Sequence, residues 1–240
     1  MARGADFAAL LRNPTEIHFS VDTSPPAPAT TASIGDLHAV YPVPLDIMRQ
    51  VITDYNAYPE FAPRVTNSQA VRIGDDPPTW RHHLTLSFQV LFFGSGYDYY
   101  LTVVEPPLGA HNYGPRSAVP GSAVPGSGPE TSAAERRWVE AQSGNPGSGP
   151  AAGCRAQGGE FAMYYRMDRS LDGQLVDVAG SWYLCAVEID GVEHTYARYF
   201  NSISFARDQF GLRVALRNLG ARDMKSAMDA FYHEAERRMQ

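Results

Sequence analysis

The run Trp80–Val90, WRHHLTLSFQV, constrains the fold most. Trp80, His82, Leu84, Leu86, Phe88 and Val90 alternate with Arg81, His83, Thr85, Ser87 and Gln89. Period two puts each set on its own face of an extended strand. Gly94–Gly96 reads as a turn, after which Tyr97, Tyr99, Leu101 and Val103 continue the alternation back to Glu105. Such a pair is an antiparallel hairpin with one apolar and one solvated face. The apolar face needs a covering layer. The tail offers one. Within Arg207–Met239, the residues Met224, Ala227, Met228, Phe231 and Ala235 form an apolar stripe at helical spacing. Arg222, Lys225, Glu234, Glu236 and Arg237 fall mostly off that stripe, and Gly220 is a candidate kink.

Further elements follow from the same signals. Residues 4–12 read as a short helix ended by Pro14, and Glu16–Val21 as a strand. Residues 24–32 are a Pro-rich connector, and Ile34–Tyr41 is a strand stopped by Pro42 and Pro44. Leu45–Thr53 has helical spacing, Asp54–Pro63 reads as a short helix or turn, and Arg64–Ile73 as a strand. Glu160–Arg169, Leu175–Ile189 and Glu193–Ile203 are strands separated by turns at Leu171–Gly173 and Asp190-Gly191. Between the two halves of the sheet lies a Gly/Pro/Ser-rich stretch, about 106–158, with two copies of SAVPG and only Glu130–Gln142 capable of helix. It buries too little apolar surface to offset ordering entropy, so it reads as a surface insertion. A partner-binding or cavity-covering role is the alternative.

Composition excludes several functions. A net charge of -6 argues against a nucleic-acid partner. No run is long and apolar enough to span a bilayer. The opening MARGADFAALLRNP does not read as a secretory signal. The expected compartment is the cytoplasm, with the mature part of an exported (periplasmic) protein as the alternative. No G-x-S-x-G, H-E-x-x-H, P-loop or dinucleotide fingerprint occurs, and the histidines lack metal-ligand spacing. Accordingly no cofactor, metal or catalytic residue is assigned. If Leu171–Gln174 closes a regular hairpin, Cys185 pairs near Gly159 and Cys154 lies a few residues upstream. Two unpaired thiols are the first expectation; a disulfide, which this pairing would bring within reach, is the alternative.

The stretch Val40–Ile73, VYPVPLDIMRQVITDYNAYPEFAPRVTNSQAVRI, resembles the START / polyketide-cyclase (SRPBCC, helix-grip) superfamily, in particular its coenzyme-Q-binding-protein-like branch. The resemblance covers residues 33–240 apart from the insertion, with 1–32 as a preceding helix, strand and connector. It implies an α+β fold in which a curved antiparallel sheet wraps a long C-terminal helix around a cavity for an apolar ligand. Asp54, Tyr55, Tyr58, Pro59 and Phe61 carry the resemblance and are given a structural role, plugging one end of the sheet.

Parity on that fold nominates the ligand-binding side chains. They are His82, Leu84, Leu86, Phe88, Tyr97, Tyr99 and Leu101 on the hairpin, and Phe161, Met163 and Tyr165 on the next strand. Tyr183, matched across to Phe161, is preferred over Trp182, and Met224 and Met228 join from the helix. Arg198 is included, with inward and outward placements equally open; His83, Tyr196 and Asn201 are further polar candidates. Met adapts to irregular shapes and buried Tyr seeks a partner, which suits a lined cavity better than a tight core. The expectation is a protein that holds a hydrophobic small molecule (lipid, isoprenoid/quinone or sterol-like) for transport or sequestration. A cyclase/dehydratase-type enzyme using His82, Tyr99 and Arg198 is one alternative, and a ligand-free interaction module another. The apolar, Arg-dotted segment Phe205–Leu219 is a candidate for transient membrane contact. Oligomeric state is left open.

Overall fold

Period-two patterning in the middle of the chain and period-3.6 patterning at its end give two layers. The computed structural model describes residues 7–12, 15–90, 93–106, 159–207 and 211–240. Its elements are α1 (Phe7–Arg12), β1 (Thr15–Asp22), β2 (Thr31–Tyr41), α2 (Leu45–Thr53), a 3-10 turn (Tyr55–Ala57) and α3 (Tyr58–Phe61). They continue with β3 (Val65–Asp75), β4 (Pro78–Val90), β5 (Phe93–Val104), β6 (Glu160–Ser170), β7 (Leu175–Ile189), β8 (Val192–Phe205) and α4 (Leu212–Arg238). The SAVPG copies and the Glu130–Gln142 helix lie outside the described residues.

All eight strands join one curved, unclosed antiparallel sheet in the order β1-β2-β8-β7-β6-β5-β4-β3. β1 pairs with β2 along its whole length, from Thr15↔Ala39 to Asp22↔Ala32. β5 and β6 are direct neighbours in the sheet, although residues 105–159 separate them in sequence. The β4–β5 hairpin closes earlier than its glycines suggest. Val90 pairs with Phe93, and Gly94–Gly96 lie inside β5. The β7–β8 turn is Asp190-Gly191, with both residues at positive φ (54° and 77°). This is the two-residue hairpin geometry that Asp-Gly favours.

α4 lies across the concave face. Its second half is anchored: Met228, Phe231 and Ala235 are buried in one cluster with Met48, Val51 and Ile52 of α2 and Trp182 of β7. Each large side chain so buried contributes roughly 1.5–3 kcal/mol. Glu234, placed off the apolar stripe by the sequence, is buried as well, at 6% exposure. Arg237 and Arg238 satisfy it at 2.6–2.8 Å, and Arg238 also donates to Asp54 Oδ2 at 2.8 Å. A buried carboxylate is tolerable only with such partners. The helix's last turn is thereby tied to the end of α2.

The convex face is not uniformly solvated. α1 packs over β2 and β7, and Leu10, Val40, Cys185, Val187 and Tyr196 form a second buried cluster there. Cys185 pairs with Glu160, one residue from the expected Gly159, and is disulfide-bonded. The first expectation, two unpaired thiols, is thus overturned; Cys154, the other cysteine of the sequence, lies outside the described residues.

Candidate ligand cavity

α4 does not fill the space above the sheet along its first half. A cavity of about 630 Å³ remains between it and the concave face. That size falls in the roughly 300–1,000 Å³ range of small-molecule sites. The helix contributes Leu212, Ala215, Leu216, Leu219 and Met224; β4 and β5 contribute Leu84, Leu86, Phe88, Tyr97 and Leu101; β8 contributes Ile203 and Phe205. The helix can approach the opposite edge because two lining positions there lack side chains. A methyl at Gly220 would overlap the Phe19 ring, and one at Gly35 the Met224 thioether.

Polar groups enter the lining in three places. At the α2–α3 end, Ser68 donates its only hydroxyl proton to the Tyr55 carbonyl. His82 Nε2, 2.6 Å from Ser68 Oγ, is then the donor of that second bond. The imidazole is therefore the neutral Nε2–H tautomer. Burial, with a smaller contribution from His83, lowers its pKa to about 4. Nearby, Tyr55 and Trp80 both donate to Glu105 Oε1, at 2.9 and 3.1 Å. Tyr58 donates to the Ile52 carbonyl.

The second group is a set of phenols from β5, β6 and β8. Tyr165 Oη lies 3.3 Å from Tyr199 Oη and 3.2 Å from Asn201 Oδ1. Gly180 makes this possible, since a methyl there would overlap the Tyr165 hydroxyl and the Phe200 carbonyl. Tyr99 points into the same space. Burial, then the proximity of the other phenols, raises the pKa of both Tyr99 and Tyr165 well above the ordinary value. The third group is an ion pair. Arg64, held at φ 68°, donates to Asp223 Oδ1 at 2.7 Å and stacks 4.9 Å over Phe88. Both charged residues are about 30% exposed, so the pair sits where the cavity meets solvent.

Among the nominated residues, His82, Leu84, Leu86, Phe88, Tyr97, Tyr99, Leu101, Met163, Tyr165 and Met224 line this cavity. Phe161 and Met228 do not; both are packed in the core, Phe161 beneath Arg49 and Met228 beside α2. Tyr183 is on the wrong face. Phe161 pairs with Leu184, not Tyr183, and Trp182 opposite Met163 is the inward residue. A one-residue slip of register exchanges faces. Arg198 is also outward. It binds Asp36 bidentately at 2.7 and 2.8 Å on the convex face. Burial alone would raise the Asp36 carboxyl, but hydrogen bonds from Arg198 and His38 outweigh it and hold it well below the usual range. His82 and Tyr99 thus share the cavity, and Arg198 is separated from them by the sheet.

His83 and Tyr196 are likewise outside: His83 binds Asp98 at 2.6 Å and Tyr196 binds His38 at 2.6 Å. Asn201 lines the cavity, together with Tyr55, Tyr58, Tyr199 and Ser33, which parity did not nominate. A signal for Tyr199 existed in the spacing Tyr199, Asn201, Ile203, Phe205, which shares one face of β8. Within Phe205–Leu219, the apolar side chains Phe205, Leu212, Leu216 and Leu219 face the cavity; residues 208–210 lie outside the described residues. Among the described residues no helix is long and apolar enough to cross a membrane.

No protein-family model and no curated protein matches the sequence. Solved structures do match. A STAR-related lipid transfer protein fragment from Xanthomonas axonopodis superposes with a TM-score of 0.51 at 12% identity, covering 92% of this chain and 93% of that one. The human StarD13 lipid transfer and protein localization domain gives 0.47 at 9% identity, covering 92% and 84%. The Zhui aromatase/cyclase from Streptomyces sp. R1128 gives 0.44 at 14% identity, covering 94% and 97%. The Xanthomonas likeness shows the fold, a START-like helix-grip of the α+β class. It does not select the coenzyme-Q-binding branch.

Proposed function

We propose that this protein binds one hydrophobic small molecule, of lipid, isoprenoid/quinone or sterol-like character, inside the helix-grip cavity, for transport or sequestration. The observation that carries this reading is the cavity itself, about 630 Å³ and lined mostly by aliphatic and aromatic side chains. Close-packed interiors leave few voids larger than a water molecule, so an apolar space of this size has the dimensions of a small-molecule site. The phenols and the neutral His82 supply orientation without charge. The fold is one that the Xanthomonas STAR-related lipid transfer protein also uses.

Native mass spectrometry of the purified protein, before and after organic extraction, tests it. The expected result is a mass above that of the bare chain, returning to the bare mass on extraction, with a stoichiometric apolar compound in the extract. A chain that carries nothing as purified, and takes up nothing from a total lipid extract, would contradict the proposal.

A further inference from the structure

Three phenols, Tyr99, Tyr165 and Tyr199, and the Asn201 amide converge on the cavity wall from three different strands. Tyr165 has one proton and three acceptors within reach: Tyr199 Oη at 3.3 Å, Asn201 Oδ1 at 3.2 Å and the Phe200 carbonyl at 3.5 Å. That proton is therefore provided for. The Tyr99 proton is not, since its hydroxyl has no protein acceptor among the described residues; the Tyr199 hydroxyl accepts from Tyr165, and with that bond in this direction its own proton is left for the cavity. Buried Tyr hydroxyls normally find a partner, and leaving one without a partner is unfavourable. Two donors facing one apolar cavity suit an oxygen with two lone pairs.

The same lining is poor in charge. Among the described residues its only cation is Arg64, which is committed to Asp223 and packed on Phe88 where the cavity meets solvent. Deeper in, His82 is neutral and gives its Nε2 proton to Ser68. Burial keeps the phenols protonated too. A carboxylate or phosphate at this wall would lose its hydration with no countercharge to replace it.

We propose that the cavity selects an uncharged apolar molecule bearing a hydroxyl or carbonyl oxygen, anchored by hydrogen bonds from Tyr99 and Tyr199, and discriminates against anionic lipids of the same size. This rests on the reading that the cavity binds an apolar molecule, and names the polar group that the molecule carries.

Three probes on one skeleton separate the two statements: pyrene, pyrenemethanol and pyrenecarboxylate, titrated by fluorescence into the delipidated protein at pH 8. The expected order is pyrenemethanol tightest, pyrene weaker by roughly tenfold, as one to two hydrogen bonds give, and pyrenecarboxylate weakest. In a Tyr99→Phe/Tyr199→Phe double variant, pyrenemethanol should fall to the affinity of pyrene, with pyrene itself unchanged. Tyr100→Phe, on the convex face against His83, should leave the order intact. Unchanged pyrene binding also shows that the double variant is folded; if it is not, Tyr99→Phe alone is expected to lose part of the alcohol preference. Carboxylate binding as tight as the alcohol, or an alcohol preference that survives both substitutions, overturns the anchor. Absence of binding by all three probes overturns the apolar-cavity reading and the anchor with it.

Discussion

A neutral imidazole buried beside Ser68 refuses a proton that the unfolded chain accepts. His82 is 3% exposed, and its pKa falls from 6.5 to about 4. Below pH 6.5 the unfolded state binds that proton while the native state does not. The stability His82 gives is thus present above about pH 6.5 and lost as the pH falls towards 4. Thermal melts from pH 8 to 4 should show the native protein losing more stability over this window than a His82→Gln variant, which keeps a donor for Ser68 and cannot titrate. Equal pH profiles would contradict the assignment. Parity alone turns His82 inward, because Arg81 and His83 beside it are polar and Trp80 and Leu84 are not. Its partner is less legible: Ser68 sits on the neighbouring strand, in a register set by a bulge between Val65 and Asn67. Arg198 shows the opposite case. Tyr196, Arg198 and Phe200 share a face with the acid Asp36 across the β2–β8 ladder, and no property of β8 taken alone reveals that acid.

At the scale of elements, the alternation reads cleanly where one face meets water and fails where both faces are covered. β4 presents Arg81 and Ser87 to solvent, and His82, Leu84, Leu86 and Phe88 face the cavity. In β7, the consecutive residues Leu184, Cys185, Ala186 and Val187 are all buried, because α4 and its neighbours cover one face and α1 helps cover the other. Two-sided burial erases the period-two signal, and the strand's register, hence the choice between Trp182 and Tyr183, depends on the exact turn. Helix–sheet contact carries its own prediction. Gly220→Ala should gain helix propensity of about 1 kcal/mol, yet its methyl would meet the rigid Phe19 ring. Overpacking of this kind costs about 1–3 kcal/mol, so the variant should be no more stable than the parent in urea, and a Phe19→Ala background should convert the change to a gain. A second prediction concerns the sulfur of β7. With Cys185 bridged, the unreduced, unfolded protein should show no free thiol, and reduction should lower stability by about 2–4 kcal/mol. Two thiols per unreduced chain would contradict it.

For the whole molecule, the cavity is a consequence of anchoring one helix at one end. The second half of α4 is fixed by Met228, Phe231, Ala235 and the Glu234–Arg238–Asp54 bridges, and the first half spans the sheet without filling the space beneath it. The order of elements and the resemblance of Val40–Ile73 make the helix-grip fold legible from the sequence. The volume under the helix is not legible, because it depends on the distance between two layers, which no local pattern encodes. Ala215 is a small residue on the cavity face of that first half. Replacing it by Trp fills the space without touching the anchored end. The most direct measurement is therefore a titration of delipidated protein with the uncharged apolar dye Nile red, parent beside Ala215→Trp. The expected result is saturation at one dye per parent chain, and an affinity at least about tenfold weaker in the variant, with both proteins melting cooperatively. Equal binding by the two proteins, or uptake that never saturates, would show that the apolar molecule is not held in this cavity.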